Sequence, residues 1–350
     1  MVQAVQCRTL EKTCSAAQLA RRMGISPAAV SYALNGRPGV SEPLRQEILN
    51  EARATGVFVP VDERESRELV IALVLADIGN PFYSELAVSM TDAAKEMGIE
   101  VVLNTTQDRP GDDNSFIRMV IARGIQGVAL TTARKNDAEV FRDLRMAHVP
   151  FVQISRRAAK AEADYIGIDY ERAGYEIASH VLSHGYRSIA LVVGPQNSTA
   201  SCEREKGFQA AIRQAGVVLR EEFYIRAGLG QMDGQKAAKY LLSLDRLPQA
   251  VICGTDALAI GLIGQFQECG VRVPDDVAVT GFDGLSLAGA SLFGLTTVVQ
   301  PRRLMAVRSL ELLQKKIARS SQPIQKVLLP YHLCIRASCG CRNDGWQAAR

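Results

Sequence analysis

The sequence lacks the features that mark membrane and secreted proteins. A helix needs roughly 20 apolar residues to span a bilayer, and the run that begins at Leu69 already ends at Asp77. The chain also does not begin with a basic segment followed by an apolar leader, as a secreted precursor does. We therefore expect a cytoplasmic protein without a membrane partner.

The short motifs of common phosphate-binding enzymes and zinc proteases are also missing. Neither the G-x-G-x-x-G nor the G-x-x-x-x-G-K-[ST] loop occurs, and H-E-x-x-H is absent. His180 and His184 lie four residues apart on a predicted helix and could share a metal, but no acidic or cysteine partner is near them in the sequence. The sequence thus predicts neither an enzyme nor a bound cofactor.

Eight cysteines are spread over the chain without the spacing of a disulfide framework. Cys253 and Cys269 lie in apolar segments and are expected to be buried thiols, as in a reducing compartment. Cys339 and Cys341 form one close pair, which lacks the four ligands of a structural zinc site. We therefore expect no metal site.

Positive charge is modest but unevenly placed. The net charge of the chain is +4, which excludes a polycation. Residues 1–60 hold seven Lys or Arg and four Glu, an excess of +3. Such an excess is a modest electrostatic footprint for phosphate groups, so it is compatible with a nucleic-acid partner for this segment.

Residues 15–34 have the pattern of two short helices joined by a tight turn. Apolar residues at helical spacing predict a first helix over Ala16–Met23. Gly24 ends this helix because glycine adopts a left-handed backbone without steric cost. Ser26 can cap a second helix, in which Pro27 takes the first position. The pattern favours a helix-turn-helix over its alternative, a generic helical hairpin.

A third helix is expected to complete this domain. It starts at Ser41 and places Leu44, Ile48 and Ala52 on one face. The three helices together predict a small DNA-binding domain over residues 15–56.

The sequence changes character after a charged linker, residues 57–69. From residue 70 to residue 338, apolar runs of four to eight residues alternate with amphipathic helical segments. This alternation is typical of a parallel sheet covered by helices on both faces. The series is too long for one sheet of ordinary size, and it restarts after residues 165–168. We therefore expect an α/β fold whose core is bilobal and doubly wound.

The two lobes are expected to exchange segments near the end of the series. Lobe 1 comprises about residues 70–162 and 298–325, and lobe 2 comprises about residues 163–297 and 326–338. A late crossover carries a helix over residues 301–319 back to lobe 1, and a final strand around residues 326–335 completes lobe 2.

Polar and aromatic residues follow several of the predicted strands, where doubly wound sheets bind their ligands. Phe82 can stack on the face of a sugar ring, while Arg204 and Asp283 can hold hydroxyls by charge-assisted hydrogen bonds. Each residue alone has an ordinary explanation, and Asp256 is as readily a helix N-cap as a ligand contact. The hypothesis depends on the whole set, which is Asp77, Asn80, Phe82, Ser155, Arg204, Thr255 and Asp283.

A series of motifs occurs in the order AAQLARRMGIS, VSYALNG, ADIGNPFY, EREKGF, VPDDVAVTGFD and LTTVVQP. This series resembles the LacI family of bacterial transcription regulators over about residues 15–338. The helix-turn-helix alone is moderately specific, whereas its combination with the later motifs is highly specific. The resemblance implies a periplasmic-binding-protein-like core, a homodimer on operator double-stranded DNA, and a sugar-type effector between the lobes.

The resemblance also implies roles for individual residues. The positions that match phosphate contacts or set the helix on the DNA backbone are Ser26, Ser31 and Asn35. Those that match base-edge contacts are Pro27, Ala28 and Tyr32, and Arg37 joins the DNA-binding set. The positions that match effector contacts with suitable chemistry are Asp77, Phe82, Arg204, Asp283 and Gln300.

The DNA-binding segments depart from the family pattern in two ways. Ala28 offers only methyl contact and Tyr32 one hydrogen bond with apolar contact, so we expect an operator unlike those of members with polar readers. The linker lacks the Ala-Arg-x-Leu hinge motif of the family, and its acids would be repelled by phosphate. These acids are Asp62, Glu63, Glu65 and Glu68. We therefore do not expect a leucine wedge or strong bending of the operator centre.

The cleft departs from the family pattern as well. Ser155 stands where the family often has Asp, Thr255 where it has Asn, and Gly284 where a second Asp is common. These exchanges favour a ligand richer in hydroxyls than in positive charge. Arg204 would also suit a carboxylate, so both a sugar and a sugar acid are open.

A transcriptional regulator is therefore the first hypothesis: the effector prefers one arrangement of the lobes and so changes operator affinity. A solute-binding protein without a DNA function is the alternative, and export to the periplasm would support it. An enzyme is the third, and turnover of candidate sugars would support it. The sequence has no recognisable heptad repeat after the core, so a dimer is the default assembly.

Overall fold

The computed structural model describes residues 15–34, 37, 39–55, 57, 69–107, 112–133, 138–158, 162–318 and 323–341. The chain divides into two compact units, Met1–Glu68 and Leu69–Arg350, and each has its own hydrophobic core. Among the described helices, none combines the length and the apolar character needed to cross a membrane.

Three helices form the described part of the first unit: α1 (Ala16–Met23), α2 (Pro27–Leu34) and α3 (Glu42–Ala54). They enclose a small core of Leu19, Ala20, Val30, Ala33, Leu34, Ile48, Ala52 and Val57. Val57 was expected in the linker, but its backbone N–H donates to the Ala52 carbonyl at 3.0 Å and its side chain joins this core. Residues 58–68 lie outside the described residues, so the expected absence of a hinge wedge stays a prediction.

The turn between α1 and α2 forms as the sequence predicts. Gly24 has a φ of 67°, and the N–H of Ile25 donates to the Ala20 carbonyl at 3.1 Å, which closes α1. The Ser26 hydroxyl accepts from the N–H of Ala29 at 3.1 Å and caps α2. The predicted bounds of α1 and the predicted start of α2 are confirmed.

Strands and helices alternate through the second unit. The strands are β1 (Leu69–Leu75), β2 (Ile99–Thr105), β3 (Gly127–Leu130), β4 (Phe151–Ile154), β5 (Asp164–Gly167), β6 (Ile189–Val193), β7 (Tyr224–Arg226), β8 (Ala250–Cys253), β9 (Ala278–Asp283), β10 (Thr296–Val299), β11 (Lys326–Leu328) and β12 (His332–Cys334). The helices are α4 (Pro81–Glu96), α5 (Asp112–Ala122), α6 (Ala138–Met146), α7 (Tyr170–Ser183), α8 (Thr199–Gln214), α9 (Gln231–Leu242), α10 (Asp256–Glu268) and α11 (Arg302–Ala318).

These strands form two six-stranded sheets. The first has the order β11-β5-β4-β3-β1-β2 and is parallel throughout. The second has the order β12-β10-β9-β8-β6-β7, and only β12 runs antiparallel to its neighbour. We call the first sheet with α4, α5, α6 and α11 the first lobe, and the second sheet with α7 to α10 the second lobe. The predicted bilobal α/β core is confirmed.

The continuous apolar run of β1 is explained by helices on both faces of the first sheet. Ile71, Leu73 and Leu75 pack in the core that includes α4 and α11. The alternate residues Ala72 and Val74 pack in a separate core against α5 and α6. A strand buried on both faces shows no polar alternation, which is why the run reads as uniformly apolar.

Two glycines let α7 and α8 approach each other closely in the second lobe. A Cβ at Gly174 would lie 2.5 Å from the carbonyl oxygen of Arg204, and one at Gly207 would lie 2.0 Å from that of Glu171. Any larger residue at either position would push the two helices apart. The backbone that carries Arg204 is therefore fixed by direct helix-to-helix contact.

Three connections link the lobes: β5 to α7, β10 to α11, and β11 to β12. The helix α11 packs against α4 and against strands of the first sheet, so the predicted late crossover is confirmed. Two sheet assignments were wrong. Residues 164–167 pair with β4 instead of opening the second lobe, and the predicted strand around 326–335 is two strands, of which β11 joins the first sheet. Hydrophobic periodicity locates a strand, but it does not say which of two sheets the strand joins.

One expected burial was also wrong. Cys253 is fully buried in β8, as expected, but Cys269 is exposed. It caps the end of α10, just before the left-handed Gly270. The end of a helix can reach solvent even when the helix itself is largely buried.

Candidate functional site

A cleft lies between the two lobes, at the carboxyl ends of both sheets. Its cavity volume is about 20 Å³, the space of about one water molecule, so a larger ligand requires the lobes or the lining side chains to move apart. Its described lining consists of Asn80, Phe82, Tyr83, Ser155, Arg156, Ser198, Ala200, Ser201, Arg204, Leu229, Thr255 and Asp283. These residues follow β1, β4, β6, β7 and β8 or end β9, which is where a doubly wound sheet presents its ligand site.

A buried ion pair lies in the cleft. The Nη2 of Arg204 is 3.1 Å from Oδ1 of Asp283, and the two side chains are 7% and 3% exposed. The Nη1 of Arg204 donates to the Gly254 carbonyl at 2.6 Å. Its guanidinium also lies 4.0 Å from the ring centre of Phe282. An arginine held by a carboxylate, a carbonyl and an aromatic face has one fixed orientation.

A chain of hydrogen bonds extends from this ion pair to the first lobe. Gln300 donates from Nε2 to Oδ1 of Asp283 at 2.7 Å, and its Oε1 accepts from the Tyr170 hydroxyl at 2.7 Å. The same hydroxyl lies 2.8 Å from Oγ of Ser155, at the end of β4. Gln300 is not part of the cleft lining, but it acts on the cleft through Asp283.

The backbone is strained at two residues of this chain. Asp283 has a φ of 128° and Ser155 a φ of 65°, both in the region that side-chain-bearing residues rarely adopt. Such strain concentrates at ligand sites, where the surrounding contacts hold it in place. Both strained residues end or follow a strand that points into the cleft.

Further contacts hold the lobes against each other around the cleft. Asn80, in the first lobe, donates from Nδ2 to the Leu229 carbonyl of the second lobe at 3.3 Å. Glu85 accepts from the N–H of Ser286, in the second lobe, at 3.0 Å, and Arg302 of α11 donates to the carbonyl of Asp283 at 2.7 Å. The structure therefore shows the lobes joined by polar contacts on several sides of the cleft.

Two buried acids of the second lobe have raised pKa values. Burial raises the pKa of Asp256 to about 7, and the nearby Asp283 adds to the rise. Burial also raises the pKa of Asp283 to about 6, although Arg204 opposes the rise. Asp256 does not cap its helix, because Thr255 holds that position; its carboxylate accepts from Thr297 at 2.6 Å and from the N–H of Leu285 at 2.7 Å.

One expected cleft residue lies elsewhere. The lining does not include Asp77 among its described residues; its carboxylate is exposed and accepts from the N–H of Gly79 at 2.8 Å, so it stabilises a turn. The other expected residues line the cleft or, in the case of Gln300, bond to a residue that does. The lining residues that the sequence did not point to are Tyr83, Arg156, Ser198, Ala200, Ser201 and Leu229. The rule that ligands bind after strands could have found Arg156, which directly follows β4, and Ser198, which follows β6.

The first unit presents one exposed surface along the start of α2 and the segment after it. The expected DNA-contacting residues Ser26, Pro27, Ala28, Ser31, Tyr32 and Arg37 are all exposed there. Asn35 lies outside the described residues. The ring of Tyr32 covers Gly39, which has a φ of 120° and whose Cβ position would be 3.2 Å from the ring. Tyr32 is nevertheless 41% exposed, so a large amphipathic side chain projects from this surface.

Comparison with known proteins identifies the family. A family of periplasmic binding protein-like domains matches residues 178–339. The HTH-type transcriptional regulator DegA of Bacillus subtilis is 30% identical over 330 residues, which cover 93% of this chain and 98% of DegA. The chain belongs to the LacI family of transcriptional regulators.

Two further LacI-family proteins extend this likeness. MalR of Streptomyces coelicolor, an HTH-type transcriptional regulator, is 30% identical over 333 residues, covering 92% of this chain and 95% of MalR. The solved complex of the transcriptional regulator CelR with cellobiose superimposes with a TM-score of 0.71 at 26% identity, covering 92% of this chain and 99% of that one. The likeness thus extends over both units of this LacI-family regulator.

The raised pKa of Asp256 predicts a pH-dependent stability. Because the folded chain binds this proton more tightly than the unfolded chain, the contribution of Asp256 is fully present below the unfolded pKa and is lost as the pH rises through about 7. We expect Asp256→Asn, whose amide can satisfy Thr297 and Leu285, to lose less stability on alkalinisation. Between about pH 5 and about pH 8, the free energy of unfolding of the wild type should fall relative to the variant by on the order of 2 kcal/mol.

Urea unfolding at several pH values measures this difference. Asp92→Asn, on the exposed face of α4, controls for the change in net charge. Parallel stability curves for the wild type and Asp256→Asn would contradict the prediction.

Proposed function

We propose that this LacI-family regulator binds operator double-stranded DNA as a homodimer and that a sugar or sugar acid in the cleft changes its operator affinity. The observation that carries the proposal is the buried pair of Arg204 and Asp283, whose hydrogen-bonding groups meet at the boundary between the lobes. Both residues belong to the second lobe, so a ligand that bonds to this pair and to Asn80 or Ser155 of the first lobe interacts with both lobes at once. Its binding energy therefore depends on how the lobes are arranged.

The lining of the cleft supports a hydroxyl-rich ligand. Ser155, Ser198, Ser201 and Thr255 supply hydroxyls, and Phe82 supplies an aromatic face for a sugar ring. Two buried guanidiniums, those of Arg156 and Arg204, are set against the single carboxylate of Asp283 in this lining. This excess of positive charge favours a ligand that carries hydrogen-bond acceptors, and a carboxylate can be one of them. CelR, a relative of similar fold, has been solved with cellobiose.

The same lining supports binding without catalysis. Among its described residues there is no histidine, cysteine or lysine that could act as a base or nucleophile, and Asp283 is already paired with Arg204. The relatives are transcription regulators. We infer that the protein is not an enzyme and that it acts in the cytoplasm, where its DNA target lies, without a membrane partner.

The exposed surface of α2 supports DNA recognition of an unusual kind. A helix-turn-helix places the start of its second helix in the major groove. There Ala28 offers a methyl group and Tyr32 offers a ring and one hydroxyl, whereas Ser26, Ser31 and Arg37 suit the DNA backbone. Base readout would thus depend largely on Tyr32.

Ligand binding by the cleft can be tested directly. A thermal-shift screen of uncharged sugars and sugar acids on the full chain should yield a ligand that raises the melting temperature. Asp283→Asn keeps the size of the side chain but removes its charge, so the dissociation constant of that ligand should rise about 10–100-fold. Operator binding without ligand should be unchanged.

Isothermal titration calorimetry measures the ligand affinity, and Asp92→Asn is the matched control because Asp92 is exposed on the outer face of α4. Equal ligand affinity for the wild type and Asp283→Asn would refute the assignment of the cleft.

The second prediction tests base readout by Tyr32. An operator is first selected from genomic fragments by enrichment on the purified protein. Tyr32→Phe, which removes only the hydroxyl, should weaken operator binding about tenfold, and Tyr32→Ala should weaken it further. Binding to random DNA should change far less, because phosphate contacts carry it.

Fluorescence anisotropy on both DNAs measures the two affinities. Tyr240→Phe, on an exposed tyrosine of the second unit, controls for the loss of a hydroxyl elsewhere. An equal loss on operator and random DNA would show that Tyr32 does not read bases.

A further inference from the structure

A cluster of four side chains that often bind metals lies in the second lobe, outside the cleft. It consists of His180 and His184, four residues apart on and just after α7, and of Cys339 and Cys341, which follow β12. The four candidate ligand atoms all lie within 4.8 Å of one another. We call this set the Cys–His cluster. No metal site was expected from the sequence because each pair lacks partners nearby in the sequence, but the fold brings the two pairs together.

The spacing of the ligand atoms fits a tetrahedral zinc ion. With Zn–S near 2.3 Å and Zn–N near 2.05 Å, the edges of a tetrahedron are about 3.6 Å for N···S and about 3.3 Å for N···N. The observed N···S distances are 3.3 Å from His180 to Cys339, 3.4 Å from His184 to Cys341 and 3.8 Å from His180 to Cys341. The two Nε2 atoms are 3.5 Å apart.

Contacts with residues outside the cluster hold the two cysteines close to α7. Gly340, between the cysteines, has a φ of 94°, and a Cβ there would lie 2.5 Å from the Tyr186 hydroxyl, so only glycine fits. That hydroxyl donates to the Cys339 carbonyl at 3.2 Å. On the other side, the N–H of Ser338 donates to the Gly294 carbonyl at 3.0 Å. The C-x-C turn is thus preformed against the helix.

The four candidate ligand atoms face one another. Each imidazole turns its Nε2 toward both the other imidazole and a sulfur. A cation between them would be held by all four groups, because each Nε2 and each thiolate donates a lone pair to a metal.

We propose that His180, His184, Cys339 and Cys341 bind one Zn²⁺ ion, which joins the segment after β12 to the end of α7. Magnesium and calcium prefer oxygen ligands, so a set of two thiolates and two imidazoles excludes them. The same set has the number and the type of ligands that zinc prefers. Four protein ligands leave no open position, as in structural rather than catalytic zinc sites. The ion stabilises the second lobe, since residues 159 positions apart in the sequence become linked.

The metal content of the full chain, expressed without a polyhistidine tag and purified with added zinc, tests this proposal. Inductively coupled plasma mass spectrometry should find one zinc per chain. Cys341→Ser and His184→Ala should each weaken zinc binding by more than about 100-fold in chelator competition, since even a residue that only supports a ligand costs 10–100-fold. Cys334→Ser and His332→Ala, nearby residues outside the cluster, should keep full zinc content.

A spectroscopic test on the wild type alone covers the case in which the variants fail to fold. Replacement of zinc by Co²⁺ should give the visible bands of tetrahedral cobalt together with a thiolate-to-cobalt charge-transfer band. A chelator should lower the melting temperature, and added zinc should restore it. A wild type that binds less than a tenth of an equivalent of zinc, or a cobalt spectrum without the thiolate band, would overturn the proposal. A disulfide between Cys339 and Cys341 would also overturn it. Such a bond would appear as a chain mass two hydrogens below that of the reduced chain, with both cysteines unreactive toward an alkylating agent.

Discussion

Taking the guanidinium of Arg204 and the carboxylate of Asp283 out of water is unfavourable unless they are paired and bonded. The cleft pairs them and leaves the buried Nε of Arg204 without a hydrogen-bond partner among the described residues. Arg204 bonds to Asp283 and to the Gly254 carbonyl and lies on the Phe282 ring. Asp283 is bonded in turn by Gln300. The helix contact at Gly174 and Gly207 fixes the backbone of Arg204, and the strained end of β9 aims Asp283. Much of the second lobe thus serves to hold these two charges together.

The position of this pair explains how a small ligand can act on the whole second unit. The hydrogen bonds that start at Asp283 pass through Gln300 and Tyr170 to Ser155, which belongs to the first lobe. Polar contacts at Asn80 and Glu85 join the lobes as well. A ligand that competes for these groups favours one arrangement of the lobes over another, and only such a difference can shift an equilibrium.

Local features of the fold were predictable from the sequence, whereas pairings across the chain were less so. Helical spacing and Gly24 were enough to place α1 and its turn, because both are determined within a few residues. Apolar runs located the strands, but β5 and β11 were assigned to the wrong sheet, since an apolar run marks a strand and not the sheet that it joins. Asp77 was expected in the cleft because it follows β1, yet its carboxylate accepts a hydrogen bond from the N–H of Gly79 and stabilises a turn. The Cys–His cluster was missed because its two halves meet only through the fold of the second lobe.

The central claim is that ligand binding in the cleft and operator binding are coupled. Thermodynamic linkage requires that coupling be reciprocal. The most direct test is to measure the dissociation constant of the ligand found by the screen twice, once on the free protein and once on the protein saturated with operator DNA. We expect the two constants to differ by the same factor by which the ligand changes operator affinity. Identical constants would contradict it.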